Sequence, residues 1–319
     1  MDKTRRTLFG KLAAIIAVLP LAKLASAEQT LGLSQHALGN FYYIYQNSQY
    51  RQSFLPFLQN VFHLYPDKSL HQLINAVTHE AKSDEKIYQR IQQNLADISP
   101  ALANFRYALP ALNKQKKVMA AQSQQLLADR NNFQGYLEIG TTGRYIDALE
   151  EQLNINGSRY FIAERSATFS PVDMIDRGQI LKAGDEQLLD NYQLDISSSI
   201  ASNSIDLVTV FIGFHHCPIH LREPFITGIR DVMTDNGVLL LRDHDAHNER
   251  QLRTVALAHD VFNMGTHESW HYNQQELRLF YSLEALNKMM TRFGFKTDGH
   301  QLFQSGDPTK NALMAYTKS

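Results

Sequence analysis

The sequence has almost no cysteine: Cys217 is the single one in 319 residues. One thiol excludes an intramolecular disulfide and any zinc site built on several cysteines. A surplus of charge is also missing, since 31 basic and 32 acidic residues leave a formal net charge of −1. Without a basic surplus, nothing indicates nucleic acid as a partner. What remains, 44% hydrophobic and 20% charged residues, is typical of a globular protein.

The first 27 residues have the pattern of an export signal. A basic start precedes a largely apolar stretch over residues 12–24, and residues 25–27 (Ala-Ser-Ala) form a small-residue cleavage pattern. The pair Arg5-Arg6 resembles a bacterial twin-arginine signal, which implies export by the twin-arginine machinery to the periplasm. The alternatives are an uncleaved anchor, which would contact the membrane only through this segment, and a cytoplasmic amphipathic extension.

Residues 28–130 predict an α-helical region. Strand alternation is absent there, glycine is scarce, and stretches such as Leu70–Val77 and Ile87–Leu95 repeat apolar residues at helical spacing. The aromatic run Phe41–Tyr45 favours core packing of a helix, with pocket lining as the alternative. We expect a helical cap in front of a second domain that begins at residue 131.

From residue 131 to 319, short apolar runs alternate with amphipathic stretches. Strands that are continuously apolar, such as Leu207–Ile212 and Val238–Leu241, are typical of a parallel sheet covered by helices on both faces. The segments Lys296–Phe303 and Ala312–Thr317 predict a closing antiparallel pair. The whole pattern predicts an α/β fold with a doubly wound, mostly parallel sheet.

Candidate site residues fall where the predicted strands end, because open α/β sheets bind ligands beyond the carboxyl ends of their strands. The first strand, Tyr136–Ile139, leads into a glycine turn whose backbone N–H groups form a polar cradle. Glu164 ends the second strand, 24 residues after Gly140, a spacing suited to a carboxylate that accepts ribose hydroxyls. Asp185 follows a third apolar run, where it would face an adenine amino group.

The fourth and fifth predicted strands end in histidines and an acid, and we expect His215, His216, Asp243 and His244 to converge. An imidazole there can act as general base toward a hydroxyl, amine or imidazole acceptor. If the fourth strand continues through both histidines, alternation lets only one face the cleft, and we assign His216 to it. A metal is the alternative reading, but no spacing here is as specific as His-Glu-x-x-His, so we predict none. The alternative metal ligands are Asp243, His244, Asp245 and His247, with His215 or His216.

Residues 131–319 resemble the class I S-adenosylmethionine-dependent methyltransferases. The resemblance implies a Rossmann-like sheet of seven strands that ends in a reversed hairpin, with S-adenosyl-L-methionine as cofactor. It assigns the cofactor to the glycine-rich motif, the ribose acid and the adenine-side acid: Glu138, Gly140, Thr141, Thr142, Gly143, Glu164 and Asp185. Two positions depart from the family, since Thr142 and Arg144 replace glycines. The cation of Arg144 either meets the cofactor's carboxylate, which we favour, or closes the pocket.

The insertion from Glu249 to Phe280 predicts a helix at Leu252–Phe262 and contains the one tryptophan, Trp270. After the fifth strand it would cover the acceptor site as a lid; a surface excursion is the alternative.

The leading hypothesis is methyl transfer to a small-molecule or peptide-like acceptor, with the helical region covering the pocket and the strand-end His and Asp residues orienting or deprotonating the acceptor. The competing hypothesis is a non-catalytic ligand- or metal-binding exported protein on the same fold, because the cofactor has no evident supply outside the cytoplasm.

Overall fold

The computed structural model describes residues 39–100 and 107–319. The predicted signal over residues 1–27 lies outside the described residues, and its export function stays a prediction. In the described part of the chain, no helix is both long enough and apolar enough to cross a membrane.

One sheet dominates the described residues, and its strand order is β3-β2-β1-β4-β5-β8-β6, with β7 paired to β8. Strands β1 to β5 are parallel and β8 runs antiparallel to β5. The predicted doubly wound, mostly parallel sheet is therefore confirmed. The strands are β1 Asn132–Ile139, β2 Asn154–Ala163, β3 Asp185–Leu188, β4 Ile205–Val210, β5 Met233–His244, β6 Phe295–Lys296, β7 Leu302–Phe303 and β8 Asn311–Lys318.

The sheet has eight strands where seven were expected, because the strand predicted over residues 296–303 is interrupted. A turn centred on Gly299, whose φ is 81°, separates β6 from β7. The hydroxyl of Thr297 and the carboxylate of Asp298 accept the backbone N–H groups of this turn instead of leaving them to the sheet. Both short strands pair antiparallel with β8, as the predicted closing pair requires.

Helices cover both faces of the sheet and also precede it. One face packs under α8, α9 and α12 through residues such as Ile196, Ile226 and Leu286, and the other under α5 and α6 through Met119 and Leu149. The helices are α1 Asn40–Tyr45, α2 Ser48–Phe57, α3 Asp67–Glu80, α4 Asp84–Ile98, α5 Leu109–Leu127, α6 Ile146–Glu150, α7 Pro171–Arg177, α8 Ile196–Ser199, α9 Ile219–Val232, α10 Glu249–Gly265, α11 Trp270–Gln275 and α12 Leu283–Arg292.

A separate hydrophobic cluster, here called the helical cluster, joins α1 to α4 with α10. Phe41, Ile74 and Tyr88 pack there against Leu257 and Val261 of α10. The predicted insertion helix is thus a structural part of this cluster, while α5 packs on the sheet. The predicted division of the chain at residue 131 stays a prediction. The helical cluster and the cluster under α5 and α6 both draw residues from either side of it.

Candidate active site

The glycine turn lies directly beyond β1, at the point where the strand order reverses between β1 and β4. Gly140 has a φ of 98°, and a Cβ added to it would lie 2.6 Å from the carbonyl oxygen of Ile212. Gly143 has a φ of 88°, and its added Cβ would lie 3.1 Å from the ring of Phe161. Both positions therefore need glycine, and the turn stands against the loop that follows β4.

Glu138 supports this turn from inside the sheet, with 1% of its surface exposed. Its carboxylate accepts hydrogen bonds from the hydroxyl of Tyr136 at 2.8 Å, from the hydroxyl of Thr141, and from the N–H of Tyr145 at 3.3 Å. Burial raises the pKa of Glu138, and the hydrogen bonds from Thr141 and Tyr136 oppose that rise. Glu138 thus ties the turn to the start of α6, and its contact with a cofactor stays a prediction.

Thr141 is buried within the turn, whereas Thr142 and Arg144 are half-buried above it. Burial raises the pKa of the neighbouring Tyr145, and the positive charge of Arg144 opposes that rise. The cation that departs from the family motif therefore lies beside the turn, close to the Tyr145 side chain.

Glu164 is exposed immediately after β2, where its carboxylate is 3.5 Å from the backbone N–H of Asn191. Asp185 is placed differently from the prediction. It opens β3 and pairs with Tyr160, three residues before the end of β2 at Ala163. At about 3.3 Å per residue, Asp185 is roughly 10 Å short of the carboxyl edge. The expectation that it stands at the strand end is wrong.

The residues at the carboxyl end of β3 are Asp190, Asn191 and Tyr192. All three adopt left-handed backbone conformations, with φ of 47°, 52° and 66°. Asp190 and Asn191 are exposed beside Glu164, and the hydroxyl of Tyr192 donates to the carbonyl of Gly213 in the loop after β4. This turn occupies the position that the sequence had assigned to Asp185.

His215 and His216 lie in a 3-10 turn, Phe214–His216, and not in a strand. Strand β4 ends at Val210, so the alternation that would separate the two rings does not apply. Their centroids are 4.3 Å apart, and both rings belong to one cluster.

The predicted convergence at this edge of the sheet is confirmed. Nδ1 of His215 is 2.7 Å from a carboxylate oxygen of Asp243, at the end of β5. The same oxygen accepts the N–H of His244 at 2.8 Å, and the other accepts the hydroxyl of Tyr281 at 2.6 Å. The rings of His215 and His244 are 5.5 Å apart.

A fifth residue, His259 of α10, completes the group and was missed from the sequence. Its ring centroid is 4.9 Å from His215, 5.5 Å from His216 and 5.7 Å from His244. The ring of Phe280 packs 5.0 Å from both His215 and His259. We call the four imidazoles of His215, His216, His244 and His259 the histidine cluster.

Three rings of the histidine cluster have a lowered pKa. Burial, reinforced by His215, lowers the pKa of His216 to about 4 and of His244 to about 3, and it lowers that of His259 well below its usual value. Burial would raise the pKa of Asp243, but the charge and hydrogen bond of His215 hold it well below its usual range. His216, His244 and His259 are therefore neutral and Asp243 is ionised at neutral pH.

Of the alternative metal ligands named from the sequence, Asp245 and His247 do not join the others. The carboxylate of Asp245 accepts a hydrogen bond from the backbone N–H of Leu283 and lies 2.9 Å from Nδ1 of His247. Asp245 and His247 are not part of the histidine cluster. Among the described residues, one group of three offers ligand atoms within 4.8 Å of one another: His215, His216 and His259.

Three solved structures illustrate what this chain is similar to. The pyocyanin biosynthetic protein PhzM matches 86% of this chain and 74% of its own, at 12% identity and a TM-score of 0.46. The carbon methyltransferase CurJ matches 85% and 71%, at 15% identity and a TM-score of 0.45. The trans-methyltransferase CalH, solved in complex with SAH, matches 88% and 90%, at 10% identity and a TM-score of 0.42.

No protein-family model matches the sequence, and no curated protein is detectably similar to it. The strand order and register define the fold as a doubly wound α/β sheet with a reversed strand near its edge.

Proposed function

We propose that the protein is an S-adenosylmethionine-dependent methyltransferase that acts on a small-molecule or peptide-like acceptor. The observation that supports this most is the meeting of two features at the switch point of the sheet. The glycine turn after β1 touches Ile212, which lies three residues before His215 of the histidine cluster. A nucleotide-sized ligand in the turn would thus have polar, buried imidazoles beside it.

The residues at the carboxyl edge suit this cofactor. The glycine turn and the start of α6 lie beyond the same edge of the sheet as the exposed carboxylate of Glu164, which suits ribose hydroxyls. Asp190 and Asn191 take the adenine side in place of Asp185, and Arg144 supplies a cation for the cofactor's carboxylate. S-adenosylmethionine, when bound, supplies an electrophilic methyl group.

The histidine cluster is the site proposed for the acceptor. Methyl transfer needs the acceptor atom held in line with the methyl group, and proximity provides much of the rate. Nε2 of His215 and Nδ1 of His244 are buried and have no hydrogen-bond partner within the described structure. Such nitrogens can orient a hydroxyl, amine or imidazole of the acceptor and favour loss of its proton.

Isothermal titration of the purified protein with S-adenosylhomocysteine tests the cofactor assignment. We expect one equivalent to bind, and Glu164→Gln to weaken binding about 10- to 100-fold, since one hydrogen bond to a charged group contributes ~1.5–3 kcal/mol. Glu151→Gln, which changes an exposed acid away from the strand end, is the matched control. Absence of binding by the wild-type protein would refute the proposal.

A further inference from the structure

The three imidazoles of His215, His216 and His259 have an arrangement that packing alone does not explain. They come from two elements, the turn after β4 and helix α10, and their ligand atoms lie within 4.8 Å of one another. Nε2 of His215 is buried with no hydrogen-bond partner among the described residues. Leaving such a polar atom unpaired costs ~1–3 kcal/mol, so it calls for a partner.

In two of these rings, Nδ1 already faces a hydrogen-bond acceptor. Nδ1 of His215 lies 2.7 Å from the carboxylate of Asp243, and Nδ1 of His216 lies 2.5 Å from the carbonyl oxygen of Leu277. A carboxylate and a carbonyl can only accept, so each Nδ1 carries a hydrogen, and Nε2 is the ring nitrogen left to face another partner. Metal-ligating histidines are fixed in the same way, by a carboxylate or a backbone carbonyl.

We propose that His215, His216 and His259 bind a divalent transition metal ion, of which Zn²⁺ fits best, with one coordination position left open. Three imidazoles without sulfur ligands are a donor set that Zn²⁺ accepts. Three nitrogens at ~2.0–2.1 Å from a tetrahedral ion are about 3.3 Å apart, so ligand atoms that now lie within 4.8 Å of one another need to approach by at most about 1.5 Å. Asp243 is a positioning residue, because it holds His215 without being a ligand.

The consequence for catalysis rests on the proposed function. An acceptor oxygen or nitrogen that takes the open position would be bound by the cation, which lowers the pKa of a bound hydroxyl and favours its deprotonation. The cation would then orient the acceptor, and the imidazoles would act through it. The metal site itself depends on the three histidines alone.

The decisive experiment measures metal binding without any methyl-transfer assay. Untagged full-length protein is stripped with a chelator and titrated with Zn²⁺ against a chromophoric competitor, and with Co²⁺ while its visible absorption is recorded. We expect one equivalent of each, with the intense absorption of a four-coordinate Co²⁺ site. His216→Ala, which changes a ring that is not fully buried, should weaken Zn²⁺ binding at least 100-fold. His300→Ala changes an exposed histidine and should bind as wild type.

Two further measurements keep the outcomes distinct. Asp243→Asn should weaken Zn²⁺ about 10- to 100-fold, with circular dichroism to verify the fold, as expected for loss of a positioning carboxylate. Binding of S-adenosylhomocysteine is measured on the same samples. Less than a tenth of an equivalent of Zn²⁺, or equal affinity in wild type and His216→Ala, overturns the metal site even if the cofactor binds. Zn²⁺ binding without cofactor binding leaves the metal site standing and refutes the methyltransferase.

Discussion

At the scale of single residues, Gly140 is constrained in two ways that can be separated by experiment. Its φ is 98°, and an added Cβ would meet the Ile212 carbonyl oxygen at 2.6 Å. Gly299 has a similar φ of 81°, but no heavy atom lies within 4 Å of its added Cβ. Gly299→Ala should therefore cost only the left-handed backbone penalty of ~1–2 kcal/mol. Gly140→Ala should cost at least ~1 kcal/mol more, because the loop after β4 must move.

Denaturant unfolding of the two variants and of the wild type provides the comparison. Equal losses of unfolding free energy would show that the loop after β4 yields easily. In that case the close approach would not be what demands glycine at position 140.

The residues of the site could be predicted from the sequence only where they follow the end of a predicted strand. His215, His216, Asp243 and His244 follow strongly apolar runs, so their convergence could be inferred. His259 lies within a helix, and its one signal was a polar pair, His259-Asp260, inside an otherwise apolar stretch. Asp185 was misplaced because β3 is an edge strand, which does not need an apolar sequence to mark where it begins.

At the scale of elements, helix α1 is capped by the helix that packs across it. Its own N-cap residue is Gly39, which has no side chain to make a capping hydrogen bond. The carboxylate of Asp84, the first residue of α4, accepts from the backbone N–H of Phe41 at 3.4 Å. Burial and the negative charge of Asp260 raise the pKa of Asp84 to about 7, against the hydrogen bonds from the start of α1. This corner of the helical cluster should therefore respond to pH.

The sign of that response follows from the raised pKa. The folded protein binds the Asp84 proton more tightly than the unfolded chain, so the stabilisation is complete below about pH 4 and is lost as pH rises through about 7. Relative to Asp84→Asn, the wild type should gain up to ~1.4 kcal/mol of unfolding free energy per unit of falling pH across that window. Urea unfolding at several pH values measures it. Glu85→Gln changes the exposed neighbour as control, and parallel profiles for wild type and Asp84→Asn would contradict the burial argument.

Element types were largely predictable from periodicity, while their partners were not. The apolar runs at β4 and β5 and the helical spacing in α10 gave the correct element types. The predicted lid role of α10 stays a prediction, but its packing could not be seen in the sequence. Leu257 and Val261 contact α1 to α4, more than 150 residues away along the chain, and such contacts leave no local signal.

At the scale of the whole molecule, α10 is shared between the helical cluster and the candidate site. Its Val261 packs among α1 to α4, while His259 packs against His215 and Phe280 at the edge of the sheet. Asp260 accepts from Asn40 of α1 at 2.9 Å and pairs with the buried Arg278 at 2.7 Å. Unfolding the helical cluster alone, or the sheet alone, would leave these groups without partners. The helical cluster and the sheet should therefore unfold together.

Trp270 makes this cooperativity measurable, because it is the one tryptophan of the chain and its ring packs 5.3 Å from Tyr88 in the helical cluster. The unfolding transition seen in its fluorescence should therefore have the same urea midpoint as the transition seen by far-UV circular dichroism. Ile74→Ala in the helical cluster and Leu239→Ala in β5 each remove a fully buried side chain and should cost ~2–5 kcal/mol. Each should shift both signals by the same amount. If Ile74→Ala moves the Trp270 transition alone, the helices unfold independently and α10 does not couple them to the sheet.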